Sequence, residues 1–415
     1  MKYLVILGDG MSDYPIKELG NKTPLQHAFT PNLDRLARMG TLGLARTVPP
    51  GMPPGSDVAN LSVMGYDPRL YYTGRSPLEA VSLGVHMDPT DVAFRCNLVT
   101  LSDEALYAEK TMVDYSADEI STAEAKELIK DLSAQLGTES LNFYPGISYR
   151  HVLVWRKGPS EIDLTPPHDI SDRRIGDYLP AGEHHSVLLD LMEKSHQFLA
   201  THPVNLARIK KGHRPANSIW FWGQGKKPNI PSFPDKYGLT GSVVCAVDLV
   251  KGLGICAGLE AIEVPGATGG TVTNYRGKAE AALAEFKKGK DFVYMHIEAP
   301  DEAGHRGELA TKIQAIEEID AQVVGTIIQG MEESRGYPGM EDYRLLILPD
   351  HPTPLSIRTH AADPVPFLIY QRHRPQDNSV EGYNEEAARS SALNIEAGHE
   401  LMDYFIATGH FTSFK

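Results

Sequence analysis

Residues 346–354 read L-I-L-P-D-H-P-T-P, an apolar run that stops on Asp350 and His351 between prolines. With the residues before it, Y-R-L-L-I-L over 343–348, the run reads as a buried strand. Continuous apolar strands belong to parallel sheets covered on both faces. Pro349, Pro352 and Pro354 restrict the backbone around the two polar residues. The strand therefore delivers a carboxylate and an imidazole into a stiffened loop. In open parallel sheets, ligands collect beyond the carboxyl ends of the strands. The residues that follow the other strands are thus the next to read.

The first strand, residues 3–7, is stopped by G-D-G, which contributes Asp9. The strand D-F-V-Y-M-H-I, 291–297, runs through E-A-P into D-E-A-G-H, with Asp301 and His305 four residues apart. That spacing puts both side chains on one face of a helical turn. His360 stands shortly before a further strand, V-P-F-L-I-Y, 365–370. Each piece alone is ordinary loop or turn polarity. Together they place three aspartates and three histidines near strand ends, and convergent titratable groups are the usual sign of a site.

The rest of the chain supplies the frame. A helix is predicted near 30–39, opened by T-P-N with Thr30 as cap and Pro31 at the first helical position. A loop rich in proline and glycine, T-V-P-P-G-M-P-P-G-S-D, follows at 47–57. From about residue 91 the texture changes. V-A-F-R-C-N-L-V-T-L and Y-R-H-V-L-V-W-R read as strands, and 117–136 and 186–200 as helices, without regular alternation. Strand–helix alternation resumes with V-V-C-A-V at 243–247 and a long helix at 310–331. The expected architecture is α/β: a doubly wound core built from residues 1–90 and 235–415, with an α+β domain, 91–234, inserted between.

The totals exclude several classes. The chain has 415 residues, 41% hydrophobic and 23% charged, enough for a substantial core. A formal net charge of −14 argues against a nucleic-acid binder with a broad basic surface. It leaves room for an anionic small substrate, because metals or a few arginines reverse the sign locally. Three sparse cysteines, Cys96, Cys245 and Cys256, imply no disulfide framework and a cytoplasmic setting. No apolar run is long enough to span a membrane. Nothing in the chain sets an oligomeric state.

Carboxylate oxygen together with imidazole nitrogen suits Mn²⁺, Zn²⁺ or Co²⁺. Two such ions roughly 3.5–4 Å apart clamp a transferring phosphoryl group and activate a nucleophile. The nucleophile candidate is Ser56 in P-P-G-S-D-V-A-N, at the expected start of a helix whose amino end favours phosphate. The competing reading makes Ser56 an ordinary helix cap. Arg150, Arg214 and Lys251 are candidate cationic partners for a substrate carboxylate. His184, His185, His202 and His213 are read as surface residues, and Trp220 and Trp222 as packing.

V-I-L-G-D-G-M-S-D, P-P-G-S-D-V-A-N-L-S-V-M-G-Y-D-P, G-R-S-P-L-E-A, H-I-E-A-P-D-E-A-G-H, P-D-H-P-T-P and H-A-A-D-P-V-P resemble the alkaline phosphatase superfamily. More closely, they resemble its archaeal-type cofactor-independent phosphoglycerate mutases. The resemblance implies one metal ion held by Asp301, His305 and His360; the sequence does not name the ion, and Mn²⁺ is the first choice. A second would be held by Asp9, Ser56, Asp350 and His351. It implies that Ser56 takes the phosphoryl group from 3-phosphoglycerate and returns it to the 2-hydroxyl, without bisphosphoglycerate, while the inserted domain closes over the substrate. A homoserine-kinase-like phosphotransferase or a metal-dependent phosphatase would share that site. G-L-G-I-C-A at 252–257 raises a distant alternative, a nicotinamide-dependent oxidoreductase, because it satisfies G-x-G-x-x-A.

Overall fold

The strand expected at 343–348 occupies Tyr343–Leu348 with every residue buried. It lies inside an eight-stranded sheet of a computed structural model that describes residues 1–407 apart from positions 335, 338 and 378. In chain order the strands of this sheet are β1 (Lys2–Gly8), β2 (Thr41–Ala45), β3 (Gly241–Val244), β4 (Glu260–Ile262), β5 (Phe292–Ile297), β6 (Tyr343–Leu348), β7 (Val365–Gln371) and β8 (Asn394–Ile395). Their spatial order is β8-β2-β7-β6-β1-β5-β3-β4.

β1 pairs in parallel with both β5 and β6, so that Leu4 stands between Val293 and Leu345. The sheet is not wholly parallel, as the apolar runs suggested. β7 runs antiparallel to β6 and to β2. This reversal matters for the site. A residue that precedes β7 sits at the same edge as residues that follow β1, β5 and β6. β2 runs with the majority, so the loop after it emerges at that edge too.

Leu4, Ile6, Val293, Met295, Leu345 and Ile347 are buried in one cluster with Leu33, Leu36, Ile316, Ile319 and Ile327 from the covering helices. Burying an aliphatic side chain of this size contributes about 1.5–3 kcal/mol, so the central strands are the most firmly held part of this unit. The helix expected at 310–331 is a run from Leu309 to Glu333 with a π-helical segment at Ile319–Val324. The wider turn carries Asp320, whose carboxylate accepts the Leu33 amide at 2.7 Å and the Asn32 amide at 3.3 Å. That satisfies open amides at the start of the helix Pro31–Met39. Thr30 occupies the cap position but its side chain makes no capping bond. V-V-C-A-V is strand only to Val244, and Val247 already caps the next helix.

The chain divides into two compact units, residues 1–72 with 230–415, and residues 73–229. Residues 73–90, placed with the core from sequence, belong to the second unit. There the helix Ser76–Ser82 lies against the strand Val92–Leu101, and Glu79 pairs with Arg95 at 3.1 Å. Val92–Leu101 pairs antiparallel with Arg150–Trp155 and Ser218–Lys226 in a five-stranded sheet. The helices Thr122–Leu136 and His185–Leu199 bury Leu128, Leu132, Leu188 and Met192 in this unit's own core. The first of them starts five residues later than expected, because Ala117, Asp118 and Glu119 have φ of 48°, 62° and 47° and Ser121 caps the helix. His202 is buried rather than exposed: it caps the helix Pro203–Lys210 and lies 3.1 Å from Asp131. No described helix is long and apolar enough to cross a membrane.

Candidate metal centre

Asp9 directly follows β1, Asp350 and His351 follow β6, and Asp301 and His305 lie on the helix Ala299–Arg306 after β5. His360 precedes the reversed strand β7 and so arrives at the same edge. All six side chains converge. The Nε2 atoms of His305 and His360 are 2.9 Å apart, and they lie 3.2 and 3.5 Å from the two oxygens of Asp301. His351 Nε2 lies 3.6 Å from Asp9 Oδ1 and 3.5 Å from Asp350 Oδ2. Asp301, His305 and His360 can share one cation, and so can Asp9, Asp301 and His351.

Ser56 opens the helix Ser56–Val63, but Gly55 holds the cap position and no side chain caps it. The Ser56 hydroxyl therefore remains available. It lies 3.4 Å from Asp9 Oδ2 and 3.2 Å from His351 Nε2. The reading of Ser56 as a helix cap thus has no geometric support.

The electrostatics favour a cation. Burial, then the carboxylates of Asp350, Glu298 and Asp301, push Asp9 well above the usual carboxylate range. Burial, then Asp301, raises Glu298 to about 8. Burial opposes ionisation of Asp301, but hydrogen bonds from His305 and His360 hold it well below that range. The hydrogen bond to Asp301 raises His305 to about 9. Two imidazole nitrogens facing each other across a carboxylate need a positive charge between them. Asp9 Oδ1, buried, has no hydrogen-bond partner. A donor set of carboxylates and imidazoles with such orphaned atoms fits divalent transition-metal ions.

Partners behind the donors fix their orientation. His305 Nδ1 lies 3.1 Å from the carbonyl of Arg358, and His360 Nδ1 lies 3.2 Å from the carbonyl of Pro54. Each contact sets the tautomer that frees Nε2 for a metal. Asp350 accepts the amides of Gly10 at 3.3 Å and His351 at 2.9 Å, and the Asn60 amide at 2.8 Å. Asn60 in turn accepts the Tyr294 hydroxyl at 2.7 Å.

Sequence reading missed His296, Glu298, Asn60, Tyr294 and Thr353. His296 is fully buried in β5, with Nε2 3.0 Å from Asp9 Oδ2, and forms a third possible donor group with Asp9 and Asp350. Both of its ring nitrogens lack hydrogen-bond partners. Burial lowers it to about 4, so the ring is neutral and able to donate a lone pair. A histidine inside the otherwise apolar run F-V-Y-M-H-I was the available signal.

Each of the candidate cationic residues has a partner within its own unit. Lys251 lies on the helix Asp248–Cys256 and pairs with Glu263. Arg150 and Arg214 belong to the second unit, where Arg150 lies over the Tyr149 ring at 5.4 Å and Arg214 bonds Asp114 at 3.1 Å. The dinucleotide alternative loses its geometry. Gly252 and Gly254 sit within the helix Asp248–Cys256, not at the strand-to-helix turn where a pyrophosphate would rest.

The profile of the 2,3-bisphosphoglycerate-independent phosphoglycerate mutase family matches residues 37–205. The probable mutase of that name from Geobacter sulfurreducens is 54% identical over 98% of this chain and 100% of its own length. That of Methanosarcina barkeri is 50% identical over 98% of this chain and 99% of its own. Among solved structures, the cofactor-independent phosphoglycerate mutase of Thermoplasma acidophilum aligns with a TM-score of 0.66 at 28% identity, over 99% of this chain and 100% of that one. Identity of this order along nearly the whole length, with the converging carboxylates and imidazoles, assigns the chain: it belongs to the 2,3-bisphosphoglycerate-independent phosphoglycerate mutase family.

Proposed function

We propose that this chain interconverts 3-phosphoglycerate and 2-phosphoglycerate through a phosphoserine at Ser56. The observation that carries the reading is the Ser56 hydroxyl, unused by its helix and set 3.2 Å from His351 and 3.4 Å from Asp9. In the forward direction the Ser56 oxygen bonds to phosphorus as the bond from phosphorus to the 3-oxygen of glycerate breaks. The serine proton leaves with the released alkoxide. Glycerate then reorients, its 2-oxygen takes the phosphoryl group, and Ser56 recovers a proton. Transfer in and transfer out balance, so no bisphosphoglycerate is consumed.

Two divalent cations would supply positive charge to the phosphoryl oxygens and a lowered pKa at the serine. Asp301, His305 and His360 would hold one. Asp9, Asp350 and His351, with the Ser56 oxygen, would hold the other. The ligand chemistry suits Mn²⁺, Zn²⁺ or Co²⁺, and we take Mn²⁺ as the first choice to test. The amides at the start of the helix Ser56–Val63 favour phosphate oxygens there. Lys251, Arg150 and Arg214 are assigned to the substrate's anionic groups, Lys251 by exchanging Glu263 for substrate. A mutase must withhold water from phosphoserine, and we assign that task to the 73–229 unit. Only three cysteines in 415 residues, Cys96, Cys245 and Cys256, support a reducing, cytoplasmic setting.

The test is Mn²⁺-loaded protein with 3-phosphoglycerate, scoring 2-phosphoglycerate against free phosphate. Turnover to 2-phosphoglycerate that Ser56→Ala abolishes is expected. Free phosphate as the sole product would make the chain a phosphatase. O-phosphohomoserine formed from homoserine and ATP, with no mutase turnover, would make it a kinase.

A further inference from the structure

Lys312 has no exposed side-chain surface. It lies on the helix Leu309–Glu318, which follows the helix that bears Asp301 and His305. Its ammonium donates to Asp13 Oδ2 at 2.7 Å, to the Thr353 carbonyl at 2.8 Å and to the Ser12 carbonyl at 3.3 Å. Burying an unpaired ammonium costs several kcal/mol. Here the charge is paired and all three donor directions are used. The cation is therefore held in one geometry.

The partners tie that geometry to the donor set. Ser12 and Asp13 belong to the loop after β1 that starts with Asp9. Thr353 belongs to the loop after β6 that starts with Asp350 and His351. While the Thr353 carbonyl accepts from Lys312, its hydroxyl donates to Asp301 and lies 3.3 Å from His351 Nδ1. The Asp13 carboxylate also accepts the Leu355 amide at 3.2 Å. On the far side, the Ser12 hydroxyl and Asp13 amide both donate to buried Glu385, at 3.0 and 3.1 Å.

One ammonium thus joins two of the segments that supply donors to the two proposed cations, the loop after β1 and the loop after β6, to the helix that follows Asp301 and His305. We infer that Lys312 is a positioning residue that sets the two metal-binding half-sites relative to one another. This rests on the two-cation reading of the centre. Replacing the ammonium by an apolar chain frees the loop after β1 from the loop after β6, so both half-sites loosen together. A core cation with no such role would lower melting temperature and leave the metal environment unchanged.

The experiment uses full-length protein stripped of metal: wild type, Lys312→Met and Asp13→Asn. Each is titrated with Mn²⁺ by calorimetry and with Co²⁺ by visible absorption. Lys312→Met is expected to bind both ions about 10–100-fold more weakly, the usual effect of losing a group that orients ligands, and to shift the Co²⁺ absorption bands. Asp13→Asn keeps an acceptor but loses the charge, and shows a smaller change in the same direction. If Lys312→Met does not fold, Asp13→Asn decides the matter. Affinities within twofold of wild type with an unchanged Co²⁺ spectrum would overturn the inference while leaving the metal centre intact. Wild-type protein that binds neither ion would overturn the metal centre itself.

Discussion

His360 Nδ1 lies 3.2 Å from the carbonyl oxygen of Pro54, two residues before Ser56. The loop that presents Ser56, the proposed nucleophile, therefore also orients the imidazole of His360, a proposed metal ligand from the other end of the chain. The prolines of P-P-G-S restrict that loop in advance, and pre-ordering a ligand lowers the cost of binding. With His360→Ala, the Asp301–His305 pair loses its third donor. Metal content after gel filtration is expected to fall from two ions per chain to one. Two retained ions would show that His360 is not a ligand.

Asn60 bridges Tyr294 and Asp350. Asn60→Leu leaves the Tyr294 hydroxyl without a partner and removes a hydrogen bond from one oxygen of Asp350 in a buried setting. Each unsatisfied group costs about 1–3 kcal/mol. Thermal or urea unfolding should show a loss in that range, with a drop in mutase turnover. An unchanged unfolding midpoint would remove Asn60 from the support of Asp350.

Cations that bind the folded chain and not the unfolded one stabilise it by mass action. At a free Mn²⁺ concentration 100–1,000 times the Kd, the gain is about 2.7–4.1 kcal/mol. Chelation should therefore abolish turnover and lower the melting temperature together. Restoring Mn²⁺ should reverse both. A chelated protein with full activity would exclude metal participation.

Within the second unit, burial pushes His151 from 6.5 down to about 3. Its Nδ1 accepts the Gly146 amide at 3.0 Å, so the folded ring is neutral, with the proton on Nε2. The unfolded chain takes up a proton below about pH 6.5, whereas the folded chain does so only near 3. The stabilisation is complete above pH 6.5 and is lost as pH falls from 6.5 towards 3, with a ceiling of about 5 kcal/mol. His151→Gln keeps an acceptor for Gly146 and cannot titrate. Its melting temperature should fall less steeply between pH 6.5 and 4 than that of wild type. Parallel curves would show that His151 does not govern the acid limb.

Much of the core was legible because its cause is local. Apolar runs over 3–7, 291–297, 343–348 and 365–370 have no solution except burial. The polar residue that ends each run has to leave at a sheet edge. What misled was also local. G-L-G-I-C-A matches a phosphate-binding turn by spacing, yet burial of Leu249, Val250 and Leu253 holds Asp248–Cys256 as a helix through both glycines, against their low helical propensity. T-L-G-L-A at 41–45, too short to stand out as a strand, forms β2 because β7 and β8 supply its hydrogen bonds.

Asp9, Ser56, Asp301, His305, Asp350, His351 and His360 were recognisable as residue types at strand and helix ends, because chemistry of this kind needs those types. Their common location was settled only by the tertiary structure, through the reversal of β7, which no local pattern encodes. The same holds for His296, Asn60 and Lys312. A buried polar side chain has a meaning only through its partners, and these lie hundreds of residues away in sequence. Sequence alone determined which groups were available and which strands had to be buried. Only the packed chain decided which of those groups face one another, because strand order and direction are properties of long-range pairing.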